Sequence, residues 1–441
     1  MSIRSLLTAA LAAILLPTAA PAVRAQSPAP HSLTLADAVR LGRERAVGAS
    51  LARLGVHSAE LKASEQSGRL LPTLDGALDW SRQTNNLATF GISLPGFPVV
   101  TDPFTLWSAS ARATQVLFDG SLFTKISAAH DSTDAAQSDA RAAADQAGAV
   151  AGLTYLRVLS AEETVKARIA DSLVADDLLN QAQQMRAAGV SAAIDVTRAE
   201  VNAASVRTQL LVARNARDRA RLDLAQALDL PVDTTLTLAD SLGGGDLTVP
   251  LAPDSAVSYA LAHRPEAAAE RERTAVATLG RRAVRWENAP TVGLVGSYQY
   301  AGVATDNMNG TYQVAIEAVI PFFDGFRRQR RSAEAGDRLD AQQLREHALL
   351  QQVEIDARGA ALDLRSARDQ MTLASRRLGL AEQELSQAED RFKAGVAGSV
   401  ETSNAQAGLI QARDGYIQAK VNFATARLRT YRALGALDQM P

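Results

Sequence analysis

The side chains able to do covalent or metal chemistry are few and scattered. The histidines, His31, His57, His130, His263 and His347, form no HExxH pair and no second-histidine site at helical spacing, so no metal centre is expected. There is no cysteine, which excludes a disulfide framework, thiolate ligation and an acylated N-terminal cysteine. Glu162-Glu163 and Asp176-Asp177 lie in polar helical sequence and read as solvated surface rather than acid/base pairs. GxSxG, phosphate-loop and dinucleotide motifs are missing, and Gly243 to Gly245 read as a flexible linker. Arg327, Arg328, Arg330 and Arg331 follow a strand and read as a boundary anchor or as partners for neighbouring acids. No enzyme and no cofactor are expected, and any function must come from the shape of the elements.

The N-terminus fits export. Arg4 precedes an apolar run from Leu6 to Leu16, then Pro17 and small residues, with Val23 and Ala25 placed for cleavage before Gln26. Residues 1–25 therefore read as a signal peptide, the run being too short for a bilayer core that needs about twenty residues. Without Arg4 and Arg24 the chain has 44 basic and 48 acidic residues, a net charge near −4. With no basic tract, nucleic acid is not an expected partner. No later segment offers an uninterrupted apolar helix span. A periplasmic protein or an outer-membrane barrel remains.

Internal repetition organises the rest. Ala38-Val39 and Pro72-Thr73 return as Ala256-Val257 and Pro290-Thr291, at an offset of 218. Phe118-Asp119-Gly120 returns as Phe323-Asp324-Gly325, offset 205. Met185 to Val196 (MRAAGVSAAIDV) returns as Arg391 to Thr402 (RFKAGVAGSVET), offset 206, as does Leu228 in Leu434. The change of offset puts about 13 extra residues in the first copy, in the Gly- and Pro-rich stretch from Thr89 to Pro103. The units span residues 26–230 and 255–441, joined by a linker at 231–254.

Each unit changes period along its length. Helical patterns from Leu35 to Leu71 and Ser255 to Glu287 give way to alternation with period two. Strands are expected at about 73–83, 104–118, 291–301 and 311–321. Their lengths suit a tilted membrane crossing, with Trp80, Trp107, Tyr298, Tyr300 and Tyr312 available for an interfacial girdle. A soluble sandwich alternates in the same way, so the strands alone do not decide.

Two long helices follow, at about 121–187 and 326–394, with tips at 188–192 and 395–399. In the second, Val353, Ala357, Ala360, Leu364, Ala367, Met371, Ala374, Leu378, Ala381, Leu385, Ala388 and Phe392 alternate steps of four and three, a coiled-coil seam. The first keeps the phase but is interrupted by Arg168, Ser172 and Arg186. Helices of this length reach on the order of 100 Å and must lie side by side in a rod or barrel.

Four strands per chain cannot close a barrel, and an open edge cannot face lipid. Two chains give eight strands and a filled interior, whereas three give twelve and a usable bore. Asp75, Asp79, Arg112, Gln299, Gln313 and Glu317 would then line the bore. The fold class expected is mainly α with a small β part: duplicated helix-strand-strand-helix units in a trimeric 12-stranded β-barrel continuous with an α-helical coiled-coil barrel.

The order of these units, with IPFFDGFRR at Ile320 to Arg328, VLFDGS at Val116 to Ser121 and the two tip phrases, resembles the TolC-like outer-membrane efflux proteins. The resemblance covers nearly the whole chain after the signal. It implies an outer-membrane conduit with a tunnel in the periplasm, assembled as a homotrimer in outer-membrane lipid. It also implies docking to a periplasmic adaptor that serves an inner-membrane proton-driven pump or ABC transporter. Phe118, Asp119, Gly120, Pro321, Phe323, Asp324 and Gly325 would mark the barrel-helix junctions, and Gly189, Val190, Gly395 and Val396 the docking tips. Acidic residues ring the closed aperture in the family. The matching positions are Glu401 and Asn404, so one carboxylate of the usual pair is replaced by an amide. Glu401 reads equally as a solvated acid in a first helical turn. Any collar around the tunnel is expected mainly from the central linker. A soluble periplasmic coiled-coil adaptor is the competing function, though such a protein would ordinarily carry one helical hairpin rather than two.

Overall fold

The computed structural model describes residues 32–91, 98–234, 236–243, 249, 252–394, 396 and 398–440. The expected signal peptide and Gly395 lie outside the described residues. The chain enters through a short strand β1 (Ser32–Leu33), then α1 (Leu35–Arg45) and α2 (Val47–Gly68). A first strand pair, β2 (Thr73–Gln83) and β3 (Phe104–Phe118), leads into α3 (Gly120–Ala187), which folds back as α4 (Ala193–Ala227). After β4 (Thr237–Leu238) the pattern repeats. The repeat consists of α5 (Pro253–His263), α6 (Pro265–Trp286), β5 (Thr291–Gly302), β6 (Met308–Val319), α7 (Arg327–Lys393) and α8 (Ser399–Leu434).

The long helices α3 and α7 have 68 and 67 residues, about 100 Å each at 1.5 Å per residue. Such lengths are stable because each buries an apolar stripe over its whole length. Along α7 that stripe includes Val353, Ala357, Leu364, Ala367, Ala381, Leu385, Ala388 and Phe392, all buried. The partner is α8, which answers with Ala405, Leu409, Ala412, Phe423 and Ala426. The short alanines let the two backbones come close.

Strands β2, β3, β5 and β6 form one antiparallel sheet in the order β2-β3-β5-β6. The helices joined to these strands keep the same order, α2 against α3, α3 against α6 and α6 against α7. One flank of the molecule is therefore α2 and β2, and the other is α7 and β6. In β6 the pairing starts at Met308 and stops at Val319, upstream of the 311–321 expected. Asn309 and Gly310 resemble turn residues, but they pair with Ala301 and Tyr300.

At mid-height a collar covers one side of the helices. Its core brings Leu33, Val39, Tyr155, Leu224, Val353, Leu428, Tyr431 and Leu437 together. Asp240 ties it down, accepting from the Leu35 backbone N–H at 2.6 Å. The Tyr155 hydroxyl lies 3.0 Å from the same carboxylate and 2.9 Å from the Leu33 carbonyl oxygen. The central linker contributes Leu242 and Val249 to the collar core. Strand β1, α1 and the C-terminal turn Leu437–Gln439 contribute as well, because their apolar residues have no other core to enter.

Candidate functional site

Cross-strand register sorts the sheet into two faces. Asp75, Arg112, Ser297 and Gln313 lie in one row, and Asp79, Ser108, Ala301 and Asn309 in another, on the same face. Gln299 and Glu317 share it, each an even number of positions along its strand. The opposite face carries Leu74, Leu78, Trp80, Trp107, Tyr298, Tyr312, Val314 and Ile316. Trp80 pairs with Trp107 edge to face at 6.4 Å. That apolar face is bare: Leu78 is 87% exposed, Tyr312 82% and Ile316 71%. Among the described residues no element covers it, and the edges of β2 and β6 have no neighbour.

The strand-to-helix junctions are built on aspartate. Asp119 caps α3, its Oδ1 accepting from the backbone N–H groups of Ser121 at 2.8 Å and Leu122 at 3.0 Å. Gly120 is required there because a Cβ would stand 2.5 Å from the Trp286 ring. Phe118 meets both Phe123 and Trp286 edge to face. In the second unit Pro321 and Phe323 follow β6, and Asp324 accepts from the backbone of Arg327 and Arg328, each at 3.1 Å. Gly325 and Phe326 make a left-handed turn before the helix, with φ of +70° and +63°. Arg328 is buried and spans Asp324 at 3.1 Å and the Pro321 carbonyl oxygen at 2.9 Å, while Arg331 pairs with Glu287 at 2.6 Å. The basic run thus divides into partnered Arg328 and Arg331 and exposed Arg327 and Arg330.

Both tips send a backbone N–H back into the long helix. Gly189 has φ +77°, and the Val190 N–H reaches back to the Met185 carbonyl at 3.0 Å, a Schellman turn. In the second tip the Val396 N–H reaches the Arg391 carbonyl at the same distance. Val190, Ile194, Val396 and Val400 are all at least half exposed, so each tip presents a matching pair of bare aliphatic side chains.

Glu401 sits in the first turn of α8 and pairs with Arg391 across the tip, Nε to Oε1 2.8 Å. Asn404, one turn on, is exposed. The acid that joins the tips is Asp195, which accepts from Ser399 of α8 and from Ser191 at 2.9 Å. The Ser399 hydroxyl, then Ser191, hold its carboxyl below the ordinary value of 3.8. Asp195 is the repeat mate of Glu401, so the offset of 206 was the signal for it.

Above Asp195 polar rungs recur at heptad spacing between α8 and the α3/α4 hairpin, interleaved with apolar packing of Ile410 against Ala175, Ala203 and Val206. Gln406 takes a hydrogen bond from Asn202 at 2.7 Å, Arg413 pairs with Asp171, and Lys420 approaches Glu163 at 3.8 Å. The strongest rung is a cluster. Asp171, 2% exposed, also holds Arg168 at 2.7 Å, and Arg168 holds Asp414 with its other nitrogen. Arg168, which interrupts the seam in the sequence, is one of the residues that join α3 to α8.

Among the described residues no group of three or more His, Asp or Glu could hold a metal, and no helix is long and apolar enough to cross a membrane. The transport-related surfaces are instead an uncovered apolar sheet, a long helical wall and two paired tips. An apolar sheet face set on long helical hairpins is the architecture of outer-membrane channel proteins. The chain belongs to the outer membrane efflux protein family, matched over residues 42–229 and 256–436. It is similar to Protein CyaE of Bordetella pertussis, at 26% identity over 96% of this chain and 89% of that one. Its fold is that of the channel CusC, with TM-score 0.81 and 16% identity over 93% of this chain and 95% of that one. The Campylobacter jejuni outer membrane channel CmeC gives 0.78 and 16%, over 96% and 94%. The open state of the Neisseria gonorrhoeae outer membrane channel MtrE gives 0.77 and 20%, over 91% and 89%.

Proposed function

We propose that three copies of the chain close head to tail into a passive conduit, a twelve-stranded barrel in the outer membrane continuous with a helical tunnel in the periplasm. One observation carries the reading: the unpaired strand edges and the outer helices fall on the same two flanks. Successive strands alternate direction, so β6 of one copy meets β2 of the next antiparallel and a ring closes without an edge. The flanking helices suit the same contact. On α7 Leu344, Ile355, Leu362, Leu373 and Leu380 are exposed at steps of 11, 7, 11 and 7, a straight stripe on a helix of 3.6 residues per turn. On α2 Val47, Leu51, Leu54 and Leu61 form a second exposed stripe. In this ring the apolar sheet face meets lipid and the polar face lines the bore.

The tips, with Gly189, Val190, Gly395 and Val396, would dock a periplasmic adaptor serving a proton-driven pump or an ABC transporter. Glu401 and Asn404 would stand at the aperture. The Arg391 partner of Glu401 makes that aperture a weak cation trap, since each carboxylate is matched by a guanidinium of the same chain. A soluble adaptor would have to hide the bare sheet face, and no element among the described residues does so.

The test uses the absence of native cysteine. One cysteine on β2 and one on β6 should cross-link neighbouring copies in outer-membrane fractions into a ladder that ends at three. Recovery in the soluble periplasm, or only as a monomer after gentle detergent extraction, would overturn the reading.

A further inference from the structure

The collar occupies one side of the helical wall, and two tyrosines mark that side. Tyr155 on α3 and Tyr431 on α8 are both 0% exposed in the collar core. Arg157 and Arg429 are each two positions from one of these tyrosines, about 200° around the helix, and so emerge on the opposite side. There both line a single groove of about 600 Å³ between α3, α4 and α8. Its other polar lining is neutral, Ser160, Thr164, Gln418 and Asn422 among it, and no acidic residue contributes. Neither guanidinium has an ion-pair or hydrogen-bond partner among the described residues. The acids nearest in sequence are engaged elsewhere, Glu162 with Arg221 at 2.7 Å and Glu163 with Lys166 at 2.9 Å.

If the helices close into the ring argued above, three collars cannot fit inside it, and the side opposite the collar faces the bore. We propose that Arg157 and Arg429 form a luminal cationic ring that selects anionic solutes, the carboxylate- or phosphate-bearing class, for passage at collar height. The inference rests on the conduit reading. Six guanidinium groups at one level of a low-dielectric wall attract anions and repel cations, as charged constrictions do. The aperture does not oppose them, because Glu401 is matched by Arg391. The aliphatic and alanine floor of the groove, Leu153, Ala161 and Ala216 among it, would accept the apolar part of an amphiphilic anion.

The test is the reversal potential of the full-length assembly in planar bilayers under a potassium chloride gradient. The unaltered protein should prefer chloride. Arg157→Gln with Arg429→Gln should lower the chloride-to-potassium permeability ratio by about threefold or more, given that field focusing changes local ion concentration by ~10-fold or more. Arg157→Lys with Arg429→Lys should keep it. Both arginines are exposed, so the variants retain the fold. A conducting Gln variant with an unchanged ratio, or an unaltered channel that prefers potassium, overturns the ring. Absence of conductance from every form overturns the conduit beneath it, a result distinguishable from the others.

Discussion

Asp171→Asn addresses the strongest rung between the two hairpins. The carboxylate is buried and holds Arg168 on its own helix and Arg413 on α8. Asparagine keeps the shape and removes the charge. Arg413, with 22% of its side chain exposed, turns to water at small cost. Arg168 stays buried, with only Asp414 to balance it. Breaking a buried ion pair by removing one partner costs about 3–5 kcal/mol, and because Asp414 remains the lower end applies. At about 1.4 kcal/mol per decade, ~3 kcal/mol raises local opening of the α3-α8 contact by a factor on the order of 100. Hydrogen exchange of α8 amides between residues 402 and 420 should show that loss of protection. The α7 amides from 353 to 367, whose partners are the collar core, Arg264, Phe423 and Ala426 rather than the cluster, should not change. Asp414→Asn added to Asp171→Asn strands Arg168 without any carboxylate and should deepen the loss. Unchanged α8 exchange in the single variant, or a loss spread evenly along the chain, would falsify the assignment of the cluster as the tie between hairpins.

Three further outcomes are expected. Asp119→Ala removes the two capping bonds at the head of α3 and should destabilise by about 1 kcal/mol, read as a lowered denaturant midpoint. A midpoint equal to that of the parent would show the cap to be dispensable. The carboxyl of Asp195 titrates below the ordinary 3.8 because Ser399 and Ser191 bond to its charged form. Its contribution is therefore fully present above pH 3.8 and is lost as pH falls through the lower folded value. Exchange at Ser399 to Thr402 should rise over that acid range in the parent and not in Asp195→Asn, and identical acid profiles would remove Asp195 from the tip contact. Val190→Asp with Val396→Asp places charge on the bare aliphatic tips. It should abolish co-purification with an adaptor while leaving the oligomer intact, and retained adaptor binding would move docking away from the tips.

The parts legible in the sequence are those whose period or repetition is local. The alanine seam of α7 announced itself because 3.5-residue spacing persists from Val353 to Phe392. The junction aspartates did so because Phe-Asp-Gly occurs twice. Pairing register was not legible, since alternation fixes which residues share a face of one strand but not which rows line up across four. The row Asp75, Arg112, Ser297 and Gln313 emerges only from the hydrogen-bond ladder. The rungs Ser399, Gln406, Arg413 and Lys420 were hidden for a different reason. Polar residues seven apart look like a solvated helix face, and nothing in their spacing tells that α3 and α4 lie against them. Arg168 was visible only as a defect in the seam, and its partner Asp414 is 246 residues away.

Two kinds of seam give the helical wall a graded resistance to deformation. Within the second hairpin, α7 and α8 meet through Leu364, Ala367, Phe423 and Ala426. Splitting that contact exposes apolar surface at about 25 cal/mol per Å² with nothing to replace it. Between hairpins a column of hydrogen bonds and ion pairs alternates with smaller apolar contacts, Ile410 against Ala175, Ala203 and Val206, and Val174 against the cluster that holds Leu409. When a rung separates, water takes up the freed donors and acceptors, so an ordinary rung contributes only about 0.5–1.5 kcal/mol. The buried cluster at Arg168 and Asp171 is the exception, because separation there strands charge in a site that water reaches poorly. Resistance along the ladder is therefore uneven: low from Asp195 to Asn202, and high at Asp171. A force applied at the tips would part the hairpins from the tip upward and meet its first large barrier at Asp171, with each hairpin moving as a rigid pair.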